Sequence, residues 1–146
     1  MNKITYKFKK LKNLNRDEIT QLKRLTLKGP SMMRLIMLSC EDPADLKQES
    51  IYLLKDQGKV IAWFYYAKDE LEIPGLDVFA MIYVKTTYRK KGLATKLFLK
   101  GLKQVKKISK TVCVYPHDKK SQEFYAQKKF KEFCKNNNIK MAMVHT

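Results

Sequence analysis

The sequence predicts a mixed α/β fold: a mostly antiparallel central sheet of about seven strands, with helices on both faces. Three observations predict it. Apolar runs of strand length alternate with amphipathic stretches of helical period in the order β, α, α, β, β, β, α, β, α, β, β. Two turn signals, Asp56-Gln57-Gly58 and Asn136-Asn137-Asn138, join neighbouring strands as hairpins and so require antiparallel pairing. The apolar run over 78–84 leads directly into an amphipathic helix, a connection that crosses over to a parallel neighbour.

The first strand spans 4–9, where Ile4, Tyr6 and Phe8 alternate with Thr5, Lys7 and Lys9. Asn15 then stands as an N-cap with Glu18 three residues on, the spacing of a capping box. The helix that follows buries Ile19, Leu22 and Leu25 and stops at Gly29-Pro30. Ser31 caps a second helix over 32–40, whose Met32, Met33 and Met37 are either core filler or the lining of an adaptable groove. Strands over 51–55 and 59–67 flank the hairpin turn at Gly58, and a turn region covers 68–75.

The next segment organises the chain. Residues 78–84 are continuously apolar and form a buried strand; a basic turn, Arg89-Lys90-Lys91-Gly92, follows. The helix beyond it places Leu93, Ala94, Leu97, Phe98, Gly101, Leu102 and Val105 on one face and lysines on the other. A helix start exposes unpaired N–H groups and the positive end of the dipole, and a glycine there admits close approach of a ligand. The segment is therefore a candidate pyrophosphate cradle. A short strand over 111–115 ends at Pro116-His117-Asp118, and Asp118 caps a helix running to about 128. Residues 130–135 and 139–145 read as a terminal pair of strands.

Length and composition bound the function. A chain of 146 residues with 45% apolar content forms one domain, residues 1–146, and buries enough surface to need no metal or disulfide staple. No apolar run approaches a membrane span and no apolar leader core follows the basic start, so a cytoplasmic protein is expected. Cys40, Cys113 and Cys134 form no C-x-x-C pair, and two histidines are too few for a histidine metal cluster. The net charge is +17 and unevenly spread. Residues 41–77 carry nine acidic and four basic side chains, whereas residues 78–117 carry ten basic and none acidic. The acid-free block surrounds the cradle, which suits a polyanionic ligand; a lysine-rich composition explains the surplus as well. A basic nucleic-acid-binding or nucleic-acid-modifying protein is the alternative, with Trp63-Phe64-Tyr65-Tyr66 either stacking bases or filling the core.

The stretch Val84-Lys85-Thr86-Thr87-Tyr88-Arg89-Lys90-Lys91-Gly92-Leu93-Ala94 resembles the V-x-P-x-Y-R-x-x-G-x-G/A motif of the GNAT superfamily of acyl-CoA N-acetyltransferases, with Thr86 in place of proline. Asp118, Ser121, Phe124, Tyr125 and Phe130 resemble its N-x-x-A-x-x-F-Y-x-x-x-G-F motif, with Asp118, Ser121 and Lys129 as departures. The resemblance spans nearly the whole chain. It implies an acetyltransferase that moves an acetyl group from acetyl-CoA to a primary amine by direct attack in a ternary complex, with neither metal nor cysteine nucleophile. It implies that main-chain groups of Ile82, Tyr83 and Val84 align the acetyl and pantetheine arm. Backbone N–H groups from Arg89 through Lys90, Lys91, Gly92, Leu93, Ala94 and Thr95 would hold the pyrophosphate. Tyr125 would protonate the departing thiolate, a task a neutral phenol suits. Asp118 would contact the cofactor or serve only as an N-cap. No carboxylate lies on the strand itself, so Asp77, Glu72, His117 or a water chain is left as general base. The first two helices and the terminal hairpin would contact the acceptor, a small molecule or a protein. Oligomeric state, a homodimer included, stays open.

Overall fold

The computed structural model describes residues 4–26, 49–68, 77–89, 92–114, 116 and 118–143. Six strands form one sheet in the order β1-β2-β3-β4-β5-β6. They are β1 (Ile4–Lys10), β2 (Glu49–Asp56), β3 (Lys59–Lys68), β4 (Val78–Val84), β5 (Thr111–Val114) and β6 (Lys140–Met143). The first four are antiparallel neighbours, while β4–β5 and β5–β6 are parallel. Four α-helices accompany them among the described residues: α1 (Arg16–Thr26), α2 (Leu93–Lys106), α3 (Lys119–Tyr125) and α4 (Lys128–Asn136).

The alternation of side chains along the central strands builds a core on each face. On one face Leu22 of α1 packs with Leu53, Trp63, Tyr65, Met81 and Tyr83. On the other, Phe98 and Leu102 of α2 meet Phe64, Ala80, Ile82, Tyr125 of α3 and Phe130 of α4. The helices therefore lie on both sides, as the sequence predicts. Trp63, Phe64, Tyr65 and Tyr66 are all buried, so this run is core and offers no surface on which bases stack.

Two turns obey their sequence signals. Gln57 and Gly58 both have positive φ (52° and 81°), the two-residue loop whose twist suits a hairpin. At the start of α1 the Glu18 N–H donates to Asn15 Oδ1 at 2.8 Å and the Asn15 N–H donates to Glu18 Oε1 at 3.0 Å, the reciprocal bonds of a capping box. The Glu18 carboxylate is fully buried and also accepts from Lys9 Nζ (2.6 Å) and Lys55 Nζ (2.9 Å), which ties β1, α1 and β2 together.

The C-terminal segment differs from expectation. Residues 130–135 are helical, within α4, so the sheet has six strands rather than about seven. Phe130, Phe133 and Cys134 recur at the i, i+3, i+4 spacing of a helix, and Phe130 and Cys134 are buried against the sheet. Asn136-Asn137-Asn138 is not a hairpin turn. Asn138 adopts a left-handed conformation (φ 56°), and the Ile139 N–H donates to the Cys134 carbonyl at 2.9 Å while the Asn138 N–H donates to the Lys135 carbonyl at 3.4 Å. These bonds close α4 as a Schellman-type C-cap, with asparagine where glycine is commoner. The chain then enters β6 parallel to β5. The helix expected over 32–40 and the turn over 68–75 lie outside the described residues or, at Lys68 alone, in β3. No helix among the described residues is long and apolar enough to cross a membrane.

Candidate active site

The site begins where two parallel strands part. β4 and β5 pair only at Val78–Val112, Phe79–Cys113 and Ala80–Val114. Beyond Ala80 the outer edge of β4 has no strand beside it among the described residues. The Lys85 N–H donates to the Ile61 carbonyl at 2.8 Å, so strand alternation turns the main-chain groups of Tyr83 and Met81 toward β3 and those of Ile82 and Val84 toward the open edge. A cleft of about 440 Å³ lies there. Ile82, Tyr83 and Val84 form one wall, Arg89, Gly92, Ala94 and Thr95 a second, and Phe124 and Tyr125 of α3 part of a third.

The turn into α2 shapes the second wall. Gly92 sits at the N-cap with φ 76°, a left-handed conformation that favours glycine, and a Cβ built there would meet nothing within 4 Å. The space above the main chain is thus open to a ligand. Leu93, Ala94 and Thr95 occupy the first helical turn, whose N–H groups have no acceptor within the helix. Arg89 is folded back onto β4: its Nε donates to the Val84 carbonyl at 2.9 Å and its guanidinium lies 5.4 Å from the Tyr83 ring centroid. Its own N–H donates to the Thr86 carbonyl at 3.2 Å. Arg89 therefore braces the turn as well as charging it. Leu93 is half-buried beside these residues; Lys90 and Lys91 lie outside the described residues.

Tyr125 closes the cleft from α3. Its ring packs 5.5 Å from those of Phe98 and Phe124. Burial pushes its phenol well above the ordinary tyrosine value, and a hydrogen bond from the Ile82 main chain only partly opposes the rise. The group stays protonated across the physiological range and faces the open edge of β4. Asp118 lines the same cleft, where its Oδ1 accepts from the Ser121 N–H at 2.7 Å while the Asp118 N–H donates to Ser121 Oγ at 3.1 Å. That capping box starts α3 and aims Tyr125 inward.

Three residues of the wall carry no prediction from sequence: Lys120, Ser121 as a wall residue, and Gln127. Lys120 and Phe124 stand at i, i+4 on one side of α3, which is a signal the sequence offered, whereas Gln127 lies beyond the end of α3 as the N-cap of α4 and had none. Of the residues considered as base, Asp77 stands at the far end of β4, where its N–H donates to Thr111 Oγ1 at 2.9 Å. Five residues of strand, about 16 Å, separate it from Ile82. Glu72 and His117 lie outside the described residues.

A family model described as acetyltransferase (GNAT) family matches residues 17–130. The chain belongs to the GNAT acetyltransferase family. Solved structures share the fold of this GNAT domain at low identity. The aminoglycoside N-acetyltransferase AAC(6')-Iy in complex with CoA superposes with a TM-score of 0.57 at 16% identity, covering 86% of each chain. A predicted acetyltransferase with acetyl-CoA from Clostridium acetobutylicum gives a TM-score of 0.60 at 14% identity, over 84% of this chain and 86% of that one. The ribosomal-protein-alanine N-acetyltransferase from Brucella melitensis gives 0.56 at 13% identity, over 84% and 88%. No curated protein matches the chain by sequence.

Proposed function

We propose that this GNAT enzyme binds acetyl-CoA in the cleft beside β4 and passes its acetyl group directly to a primary amine. The observation that carries the reading is the convergence, in one cleft, of a strand edge with no described strand beside it, a glycine-opened helix start and a buried neutral phenol. Each suits a different part of one ligand. The outward main-chain groups of Ile82 and Val84 suit an extended amide-bearing arm, added to the sheet as a further strand would be, which would replace the Arg89 bond to the Val84 carbonyl and the Tyr125 bond to the Ile82 main chain. The N–H groups at Gly92, Leu93, Ala94 and Thr95 suit a diphosphate, with Arg89, Lys90 and Lys91 adding charge. The bound cofactor supplies a thioester as acyl donor.

Tyr125 is the residue we assign to the sulfur. Its raised phenol pKa keeps the proton in place, so the group remains a hydrogen-bond donor but is a weak acid. An ordinary thiol has a pKa near 8.5, so complete proton transfer from this phenol is uphill, and its main contribution is to stabilise developing negative charge. No carboxylate other than Asp118 lines the cleft among the described residues, and Asp118 is engaged in its capping box. A water-borne path for the amine proton fits that wall better than a fixed base on β4.

Steady-state kinetics of Tyr125→Phe test the assignment. Turnover should fall by about 10²-fold while the dissociation constant of acetyl-CoA stays within about twofold of the parent. Unchanged turnover would remove Tyr125 from the reaction.

A further inference from the structure

We propose that the amine acceptor carries an anionic group, a carboxylate or a phosphate, held between Arg24 and Lys85. The inference rests on the acetyl-transfer reading above and names the class of its second substrate. A cavity of about 270 Å³ lies on the α1 side of β4, lined by Arg24, Leu25, Tyr83, Lys85, Thr86 and Thr87. Tyr83 also lines the cleft beside β4, so the two spaces share a wall at the strand edge where the acyl donor would lie. Arg24, Leu25 and Lys85 continue into a larger cavity of about 460 Å³, where Lys59 and Asp56 join the lining.

The chemistry of these walls is one-sided. The cavity next to Tyr83 presents two cationic side chains and two threonines, and no carboxylate among its described lining residues. The larger cavity adds one further cation, Lys59, and one carboxylate, Asp56. Asp56 Oδ2 accepts from the Tyr88 hydroxyl at 2.6 Å, and its Oδ1 is buried without a hydrogen-bond partner. Arg24, Lys59 and Lys85 form no ion pair among the described residues. Three cations around one carboxylate, with no ion pair among the described residues, favour an anion and disfavour a polycation. The fork of Arg24 matches a carboxylate or phosphate, and Lys85 adds a point charge opposite. An acceptor gripped there directs its amine past Tyr83 toward the strand edge.

Matched amines test the proposal: 4-aminobutyrate and phosphoethanolamine as anionic acceptors, 1,4-diaminobutane as the cationic counterpart. Thiol release from acetyl-CoA and binding to the enzyme–CoA complex are both measured. The anionic amines should exceed the diamine at least tenfold in kcat/KM, and the better of the two tells carboxylate from phosphate. Arg24→Glu and Lys85→Glu should each erase or invert that preference with acetyl-CoA affinity unchanged, and Arg24→Lys should keep most of it. A preference for the diamine, no preference, or charge reversals that weaken acetyl-CoA instead of the anionic amine would overturn the proposal while leaving acetyl transfer intact. Absence of acetyl-CoA binding together with absence of thiol release for every amine would overturn the reading beneath it.

Discussion

Glu18 has no part in the cleft, yet it is the most constrained ionised side chain described. Burial alone would raise its pKa, but hydrogen bonds from Lys9, Lys55 and the Asn15 main chain outweigh burial and hold it at about 2. A carboxylate depressed in the folded state stabilises the protein above its unfolded-state pKa, and that stability is lost as pH falls through the folded value. The window here runs from about pH 4.5 down to about pH 2. Urea midpoints should therefore drop across that window in the parent and drop less in Glu18→Gln. At pH 7 the variant should be destabilised by about 2–3 kcal/mol, from the loss of charge-assisted bonds to two lysines left beside a neutral amide. Equal acid sensitivity in parent and variant would contradict this account of Glu18. The capping half of its role was legible from the Asn15-to-Glu18 spacing. The ion pairs were not, because Lys55 joins only when β2 is laid beside β1.

At the scale of elements, α2 matters most, since its start forms the turn and its body fixes how far the turn stands from the sheet. Gly101 sets that distance. A Cβ there would run into the ring of Phe64, which is fully buried and has no room to retreat. Alanine is the better helix former by about 1 kcal/mol, but forcing it against a packed ring costs about 1–3 kcal/mol. Gly101→Ala should thus lower thermal stability or leave no gain, measured by calorimetry, whereas a clear rise in Tm would contradict the close packing. Helix α2 and strand β4 were readable because their apolar periods are long and unmixed. Helix α4 was not: Phe130, Phe133 and Cys134 in a nine-residue helix satisfy a short strand pattern almost as well, and three asparagines imitate a hairpin. Burial against Phe98, with ring centroids 4.6 Å apart, decides the matter, and that is a tertiary contact.

The whole molecule carries a net charge of +17, and the ion pairs among its described residues include Glu18 with two lysines and Lys128 with Glu132. Such an excess repels itself in the folded state. Raising the ionic strength from 0.01 M to 0.15 M shortens the screening length from about 30 Å to about 8 Å and should raise the Tm by about 2–4 °C. A Tm that is flat or falls with salt would mean that the charges are compensated. Of the residues the sequence singled out, Ile82, Tyr83, Val84, Arg89, Gly92, Ala94, Thr95, Asp118 and Tyr125 line one space, though they come from two segments separated by more than twenty residues. The cavity on the α1 side escaped it, because Arg24 and Lys85 share no motif and meet only through the packing of α1 on the sheet. Whether the turn at Gly92 receives the diphosphate of acetyl-CoA is read by calorimetric titration of the protein with acetyl-CoA. Binding should be saturable at one site in the parent and at least tenfold weaker in Gly92→Glu, which adds both bulk and negative charge to the open turn. No saturable heat in the parent, or the same affinity in the variant, would contradict that placement of the diphosphate.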